Sequence, residues 1–112
     1  MGRGATRLGL EGELAEEFRK FREALAREFK VERLILFGSR ARGDHLKDSD
    51  IDLVIISPDF RGLNFLERVR RVARLWDGAL RLEPLCYTPE EFDRRKGELS
   101  IVGIIHREGK EI

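Results

Sequence analysis

The chain has 112 residues, 41% hydrophobic and 38% charged, with 22 Lys and Arg against 21 Asp and Glu for a formal net charge of +1. That length suits one hydrophobic core, the apolar fraction excludes a disordered segment, and the balanced charge excludes a global field drawing the chain to nucleic acid or membrane. The lone Cys86 excludes an internal disulfide. No apolar run nears the ~20 residues of a membrane span and no apolar core follows Met1-Gly2-Arg3-Gly4, so the sequence predicts a cytoplasmic protein, with residues 1–12 a flexible N-terminus and 13–112 a single domain.

From Glu13 to Lys30, Leu14, Phe18, Phe21, Leu25 and Phe29 recur at steps of three and four, the signature of one apolar helix face. Val31 to Phe37 turns β-branched and apolar and predicts a strand ending at Gly38-Ser39. After a polar stretch, Asp50 to Ser57 alternates, then becomes continuously apolar, and stops at Pro58-Asp59, which predicts a second strand at least half buried. Leu66, Val69, Val72, Ala73 and Trp76 keep helical spacing between Leu63 and Trp76, with Asp77-Gly78 as the stop. Leu80 to Tyr87 reads as a third strand interrupted near Pro84, which suits an edge or a bulge. Thr88-Pro89-Glu90-Glu91 is a capping box, predicting a short helix to about Lys96. The apolar Leu99 to Ile105 stretch is read as helix, with Gly109 turning into a last short extended piece.

Chemistry concentrates between Phe37 and Leu53. Gly38 sits where a strand gives way to a short helix, so its missing side chain lets backbone N–H groups approach an anion, and Ser39 adds a hydroxyl. Arg40 and Arg42 add charge. Asp50 and Asp52 are two residues apart at the start of a strand, so both carboxylates project from one face and can share a hard divalent cation such as Mg²⁺. Taken alone, Gly-Ser is more often a plain turn, and Asp-x-Asp more often a solvated one.

The combination decides between these readings. Gly38-Ser39-Arg40-Ala41-Arg42-Gly43 followed by Ser49-Asp50-Ile51-Asp52-Leu53, with Tyr87-Thr88-Pro89-Glu90-Glu91-Phe92 after the third strand, resembles the DNA polymerase beta superfamily, and within it the minimal nucleotidyltransferases of prokaryotes. The resemblance implies an α+β (α/β) fold, a small mixed sheet of three to five strands with helices packed on one side. It implies triphosphate contacts from Gly38, Ser39, Arg40, Arg42, Gly43 and Ser49, and two Mg²⁺ ions on Asp50 and Asp52, with ATP as substrate. A third carboxylate on the following strand, which in the family completes the metal site, falls by position on Glu83, where the family more often has Asp; the resemblance implies that Glu83 joins Asp50 and Asp52 as a metal ligand and catalytic residue and takes the proton of the attacking hydroxyl. Small relatives of this type are often paired with a helical HEPN toxin, to a tyrosine of which they transfer AMP as the antitoxin. The resemblance therefore implies a protein adenylyltransferase with a HEPN-type partner. Transfer to a small molecule or a nucleic-acid end, and a non-catalytic partner-binding module, are the competing functions. The acceptor, the nucleotide and the oligomeric state are not legible in the residues.

The remaining tempting residues have plainer readings. His45 and His106 lack metal-ligand spacing, Cys86 lacks a neighbouring base and reads as a packed strand residue, and Trp76 falls on the apolar face of its helix. Arg68, Arg70, Arg71 and Arg74 crowd the other side of that helix and read as a solvated face, with a patch for RNA or a protein partner as the alternative.

Overall fold

The three-four repeat of Phe18, Phe21 and Leu25 folds as helix α1 (Gly12–Glu28), with all three side chains buried on one face. The computed structural model describes residues 12–43, 50–95 and 101–112. The chain extends into strand β1 (Arg33–Phe37), turns through the four-residue helix α2 (Ser39–Arg42) and returns as β2 (Ile51–Ile56). A 3-10 turn at Pro58–Phe60 precedes helix α3 (Phe65–Ala73) and strand β3 (Leu82–Tyr87). Helices α4 (Pro89–Arg95) and α5 (Ile101–Glu108) and the short strand β4 (Lys110–Glu111) complete the order.

The four strands lie in the order β3-β2-β1-β4. β1 runs antiparallel to both β2 and β4, whereas β2 and β3 are parallel and are joined through α3, as a parallel pair requires a crossover. The mixed sheet and α+β class are as expected. The helices, however, cover both faces rather than one. Leu34, Leu53, Ile55 and Cys86 pack against Phe18, Phe21, Leu25 and Phe29 of the α1 side, together with Phe60 and Val72. On the opposite face Ile35, Val54 and Ile56 meet Phe92 of α4 and Val102 and Ile105 of α5. Burial on both faces is the reason β2 reads as a continuous apolar run. Each fully buried Leu, Ile or Phe contributes roughly 1.5–3 kcal/mol relative to exposure.

Three further elements depart in detail from the sequence reading. β3 is uninterrupted at Pro84; the residue fits because β3 is an edge strand. α3 ends at Ala73, and Trp76 packs beyond it, its indole N–H donating to the Leu80 carbonyl at 2.7 Å. Arg68, expected on the solvated face with Arg70, Arg71 and Arg74, is instead 7% exposed. It points toward β3 and α4, where its guanidinium donates to the Leu63 and Cys86 carbonyls and to both Glu91 carboxylate oxygens, at 2.6 and 3.0 Å. The capping box is formed as predicted. The Glu91 amide donates to Thr88 Oγ1 at 3.1 Å, and the Thr88 amide donates to Glu91 Oε1 at 3.0 Å.

Candidate active site

Three strand ends converge at one end of the sheet. The register places Phe37 of β1 opposite Asp52 of β2, and Asp52 opposite Glu83 of β3. Residues in register share a face, so these three side chains form one row, on the face that α4 and α5 cover farther along. Asp50 precedes β2 by one residue, and the ladder already runs there, since the Ile51 amide donates to the Arg81 carbonyl at 2.9 Å. Alternation therefore returns Asp50 to the side of Asp52. Glu83 lies within hydrogen-bond reach of Asp50 and also 3.6 Å from Arg81.

Gly38 closes the arrangement. It caps α2 with φ 75° and ψ −155°, a conformation that side chains resist. A Cβ at Gly38 would collide with Asp52 Oδ2 and lie 3.2 Å from Asp52 Cγ. The glycine thus serves a close approach between the turn and a carboxylate, as well as the turn itself. The Ala41 and Arg42 amides both donate to the Gly38 carbonyl at 3.1 Å, while half-buried Ser39 stands at the first helical position. With four residues α2 sums little macrodipole, so local amides and the hydroxyl carry whatever anion affinity the turn has. Arg42 and Gly43 are exposed beside this turn, and Gly43 caps the helix at φ 84°. Arg40 is 5% exposed and held within the protein, so it does not present a free guanidinium. Ser49 and His45 lie outside the described residues.

The electrostatics are those of crowded anions. Burial, and then the Asp50 charge, hold the Asp52 carboxyl above the ordinary carboxylate value, with Arg42 opposing. The contact with Asp50 is the largest cause raising Glu83, and Arg81 opposes it. A pocket of about 260 Å³ lined by Phe37, Asp52, Glu83, Pro84 and Leu85 opens onto this row. Phe37, Pro84, Leu85 and Arg81 have no site role in the sequence reading; cross-strand register brings Phe37 to Asp52, whereas Pro84 and Leu85 follow Glu83 directly and Arg81 sits two residues before it, just ahead of β3. Cys86 takes no part, since burial pushes its thiol up to about 12.

A divalent cation suits this donor set. The nearby donors are carboxylate oxygens, which are hard ligands, and their mutual repulsion is what such an ion relieves. Among the described residues no three His, Cys, Asp or Glu side chains gather at metal-ligand spacing. The fit is therefore to an ion held by one or two carboxylates, with its other positions left to water or phosphate, an arrangement Mg²⁺ prefers.

A glycine-serine turn against clustered carboxylates at one end of a mixed sheet defines an α+β domain with an anionic site at its strand ends. Residues 18–111 match the family described as Nucleotidyltransferase domain, and the chain belongs to it. It is 34% identical over 61 residues to one protein of Methanocaldococcus jannaschii that carries the provisional name protein adenylyltransferase, covering 54% of this chain and 61% of that one. A second protein of that organism with the same provisional name is 38% identical over 58 residues, covering 49% of this chain and 65% of that protein. The matches thus span less than two thirds of these relatives' length. A crystal structure of a provisionally named nucleotidyltransferase from Sulfolobus solfataricus superposes with a TM-score of 0.62 at 28% identity, covering 84% of this chain and 82% of that chain. No helix among the described residues is long and apolar enough to cross a membrane.

Proposed function

We propose that this chain transfers AMP from ATP onto a hydroxyl of a partner protein. The observation that carries the reading is the convergence of Gly38, Asp52 and Glu83: cross-strand register and the close approach of the turn set the glycine-serine turn directly against clustered carboxylates. The relatives' provisional name, protein adenylyltransferase, supports the choice of AMP and of a protein acceptor. The sequence resemblance supports a HEPN-type partner, with this chain as the antitoxin.

In this reading Gly38, Ser39 and the neighbouring amides hold the β and γ phosphates, and Arg42 adds positive charge at the rim, so the leaving group is oriented before reaction. Asp50 and Asp52 hold Mg²⁺, with Glu83 beside them. The bound metal supplies charge neutralisation at the phosphates and a lowered pKa for the attacking hydroxyl. The acceptor oxygen forms a bond to the α-phosphorus, the bond to the β-phosphate oxygen breaks, and pyrophosphate leaves. Glu83 receives the hydroxyl proton on its carboxylate.

The test is ATP binding measured by calorimetry with and without magnesium, on the wild type and on Asp50→Asn combined with Asp52→Asn. The proposal expects magnesium to strengthen ATP binding to the wild type and to lose that effect in the double variant. An equal magnesium effect in both would reject these carboxylates as the metal ligands.

A further inference from the structure

At the far end of β3 from Glu83 lies a second concavity, of about 400 Å³, which the proposed transfer chemistry does not use. Tyr87 lies four residue steps along the strand from Glu83, or about 13 Å at ~3.3 Å per residue, so the two sites occupy opposite ends of the same strand. Asn64, Phe65, Tyr87, Arg94 and Arg95 line it, over a floor made by the Arg68–Glu91 pair. Phe65 is 45% exposed, and Leu66, next to it in sequence, is 66% exposed. These two adjacent side chains are the most exposed large apolar pair among the described residues. The rings of Phe65 and Tyr87 stand 6.0 Å apart, and that row continues to Phe92.

The charges of this groove differ from those of its surroundings. Arg61, Arg68, Arg70, Arg71 and Arg74 are each matched by Glu90, Glu91, Glu67 or Glu28. Arg94 and Arg95, both exposed on the last turn of α4, enter no ion pair with a described residue. Arg95 is near enough to act electrostatically on the Tyr87 phenol. Two exposed guanidinium groups that enter no ion pair with a described residue, with Arg94 acting electrostatically on Glu91 of the floor, stand beside an exposed aromatic and an exposed leucine and select for an anionic partner that also brings apolar surface. The open form and the apolar rim at Leu66, outside the concavity, favour a macromolecule over a small ligand, which needs enclosure. The mixture of apolar anchors with only two charges favours protein over nucleic acid, whose backbone calls for a longer basic track.

We infer that this groove docks a partner protein through a segment in which Asp or Glu flank a Leu or Phe. The apolar residue seats against Phe65, Leu66 and Tyr87, and the acidic residues pair with Arg94 and Arg95. Such a surface holds an acceptor at one end of the sheet while leaving the other end open for chemistry, although binding itself requires no nucleotide.

The test uses the full chain, without ATP or magnesium, against an array of short synthetic peptides carrying acidic residues around Leu or Phe, with Lys-for-Asp copies of each as controls. Wild-type protein is expected to bind the acidic-apolar peptides and not the Lys copies. Arg94→Glu with Arg95→Glu, and separately Phe65→Ser with Leu66→Ser, should each weaken binding at least about tenfold. Arg70→Glu with Arg71→Glu, at two arginines that share Glu67 outside the groove lining, should leave it unchanged. Circular dichroism on each variant confirms the fold, and Asp50→Asn with Asp52→Asn should bind peptide like the wild type, which separates this surface from the transfer reading. The inference is overturned if no acidic-apolar peptide binds, or if binding survives both groove variants.

Discussion

Gly38 and the carboxylate of Asp52 approach so closely that no side chain fits between them. The contact spans β1 and β2, because the register pairs Phe37 with Asp52 and leaves the next residue of the turn leaning over the carboxylate. Gly38→Ala would therefore do two things. At φ 75° and ψ −155° the new side chain strains the backbone by about 1–3 kcal/mol, and its Cβ pushes Asp52 aside. Thermal unfolding should show a modest loss of stability, while nucleotidyl transfer should drop about 100-fold or more, as expected when a reacting constellation shifts by an ångström.

Asp52→Asn separates stability from activity. The folded-state carboxyl titrates above its ordinary value, so folding favours the protonated form and the ionised group at neutral pH costs stability. Removing the charge should raise the unfolding midpoint, by an amount corresponding to roughly 0.5–1 kcal/mol after discounting for solvent at this half-buried position, while transfer is abolished. Differential scanning calorimetry beside an activity assay checks both directions. A variant both less stable and inactive would count against crowded-anion electrostatics at this site.

Glu83→Gln tests the proton acceptor. The amide keeps the size of the side chain and removes its basicity, so kcat should fall by about 10²- to 10⁴-fold, the range of general-base contributions. Magnesium-dependent ATP affinity should change far less. If affinity falls as much as kcat does, Glu83 serves to bind rather than to take a proton.

The Arg68–Glu91 pair predicts an acid limb of stability. Hydrogen bonding from Arg68 is the largest cause holding the Glu91 carboxyl below the usual glutamate range, assisted by the Thr88 amide. A depressed folded-state pKa contributes stability above the unfolded value, and that stability is lost as pH falls through the folded one. Glu91→Gln should therefore be less stable than the wild type at neutral pH, by about 2–3 kcal/mol since Glu91 is partly exposed. The two unfolding curves should converge below the glutamate range. Urea unfolding at a series of pH values shows whether they do.

Local chemistry was legible in the sequence where a single element decided it. Phe18, Phe21 and Leu25 announce α1 by spacing, and Thr88 with Glu91 announces the start of α4 by its reciprocal cap. Gly38-Ser39 and Asp50-x-Asp52 stand out for the same reason. What escaped depends on which residues meet across the sheet. The resemblance alone places Glu83 beside the other carboxylates, since nothing in Leu82-Glu83-Pro84 itself says that it pairs with Asp52, and nothing around Gly38 says that its missing Cβ makes room for that carboxylate. Arg68 has the periodicity of a surface residue, and it turns inward only because Glu91 and two carbonyls wait there. The continuous apolar run of β2 signals burial on both faces, as the expectation of a strand at least half buried allows, and it is the expectation of helices on one side alone that the packing corrects.

The most direct measurement of the central claim is label transfer from α-labelled ATP, in magnesium, to a purified HEPN-type partner. It is run with the wild-type chain and with the Asp50→Asn and Asp52→Asn variants. The account predicts that label stays covalently on the partner with the wild type, that pyrophosphate is released in equal amount, and that both variants fail. Label on the partner with the variants as active as the wild type, or no label while ATP and magnesium are bound, would contradict it.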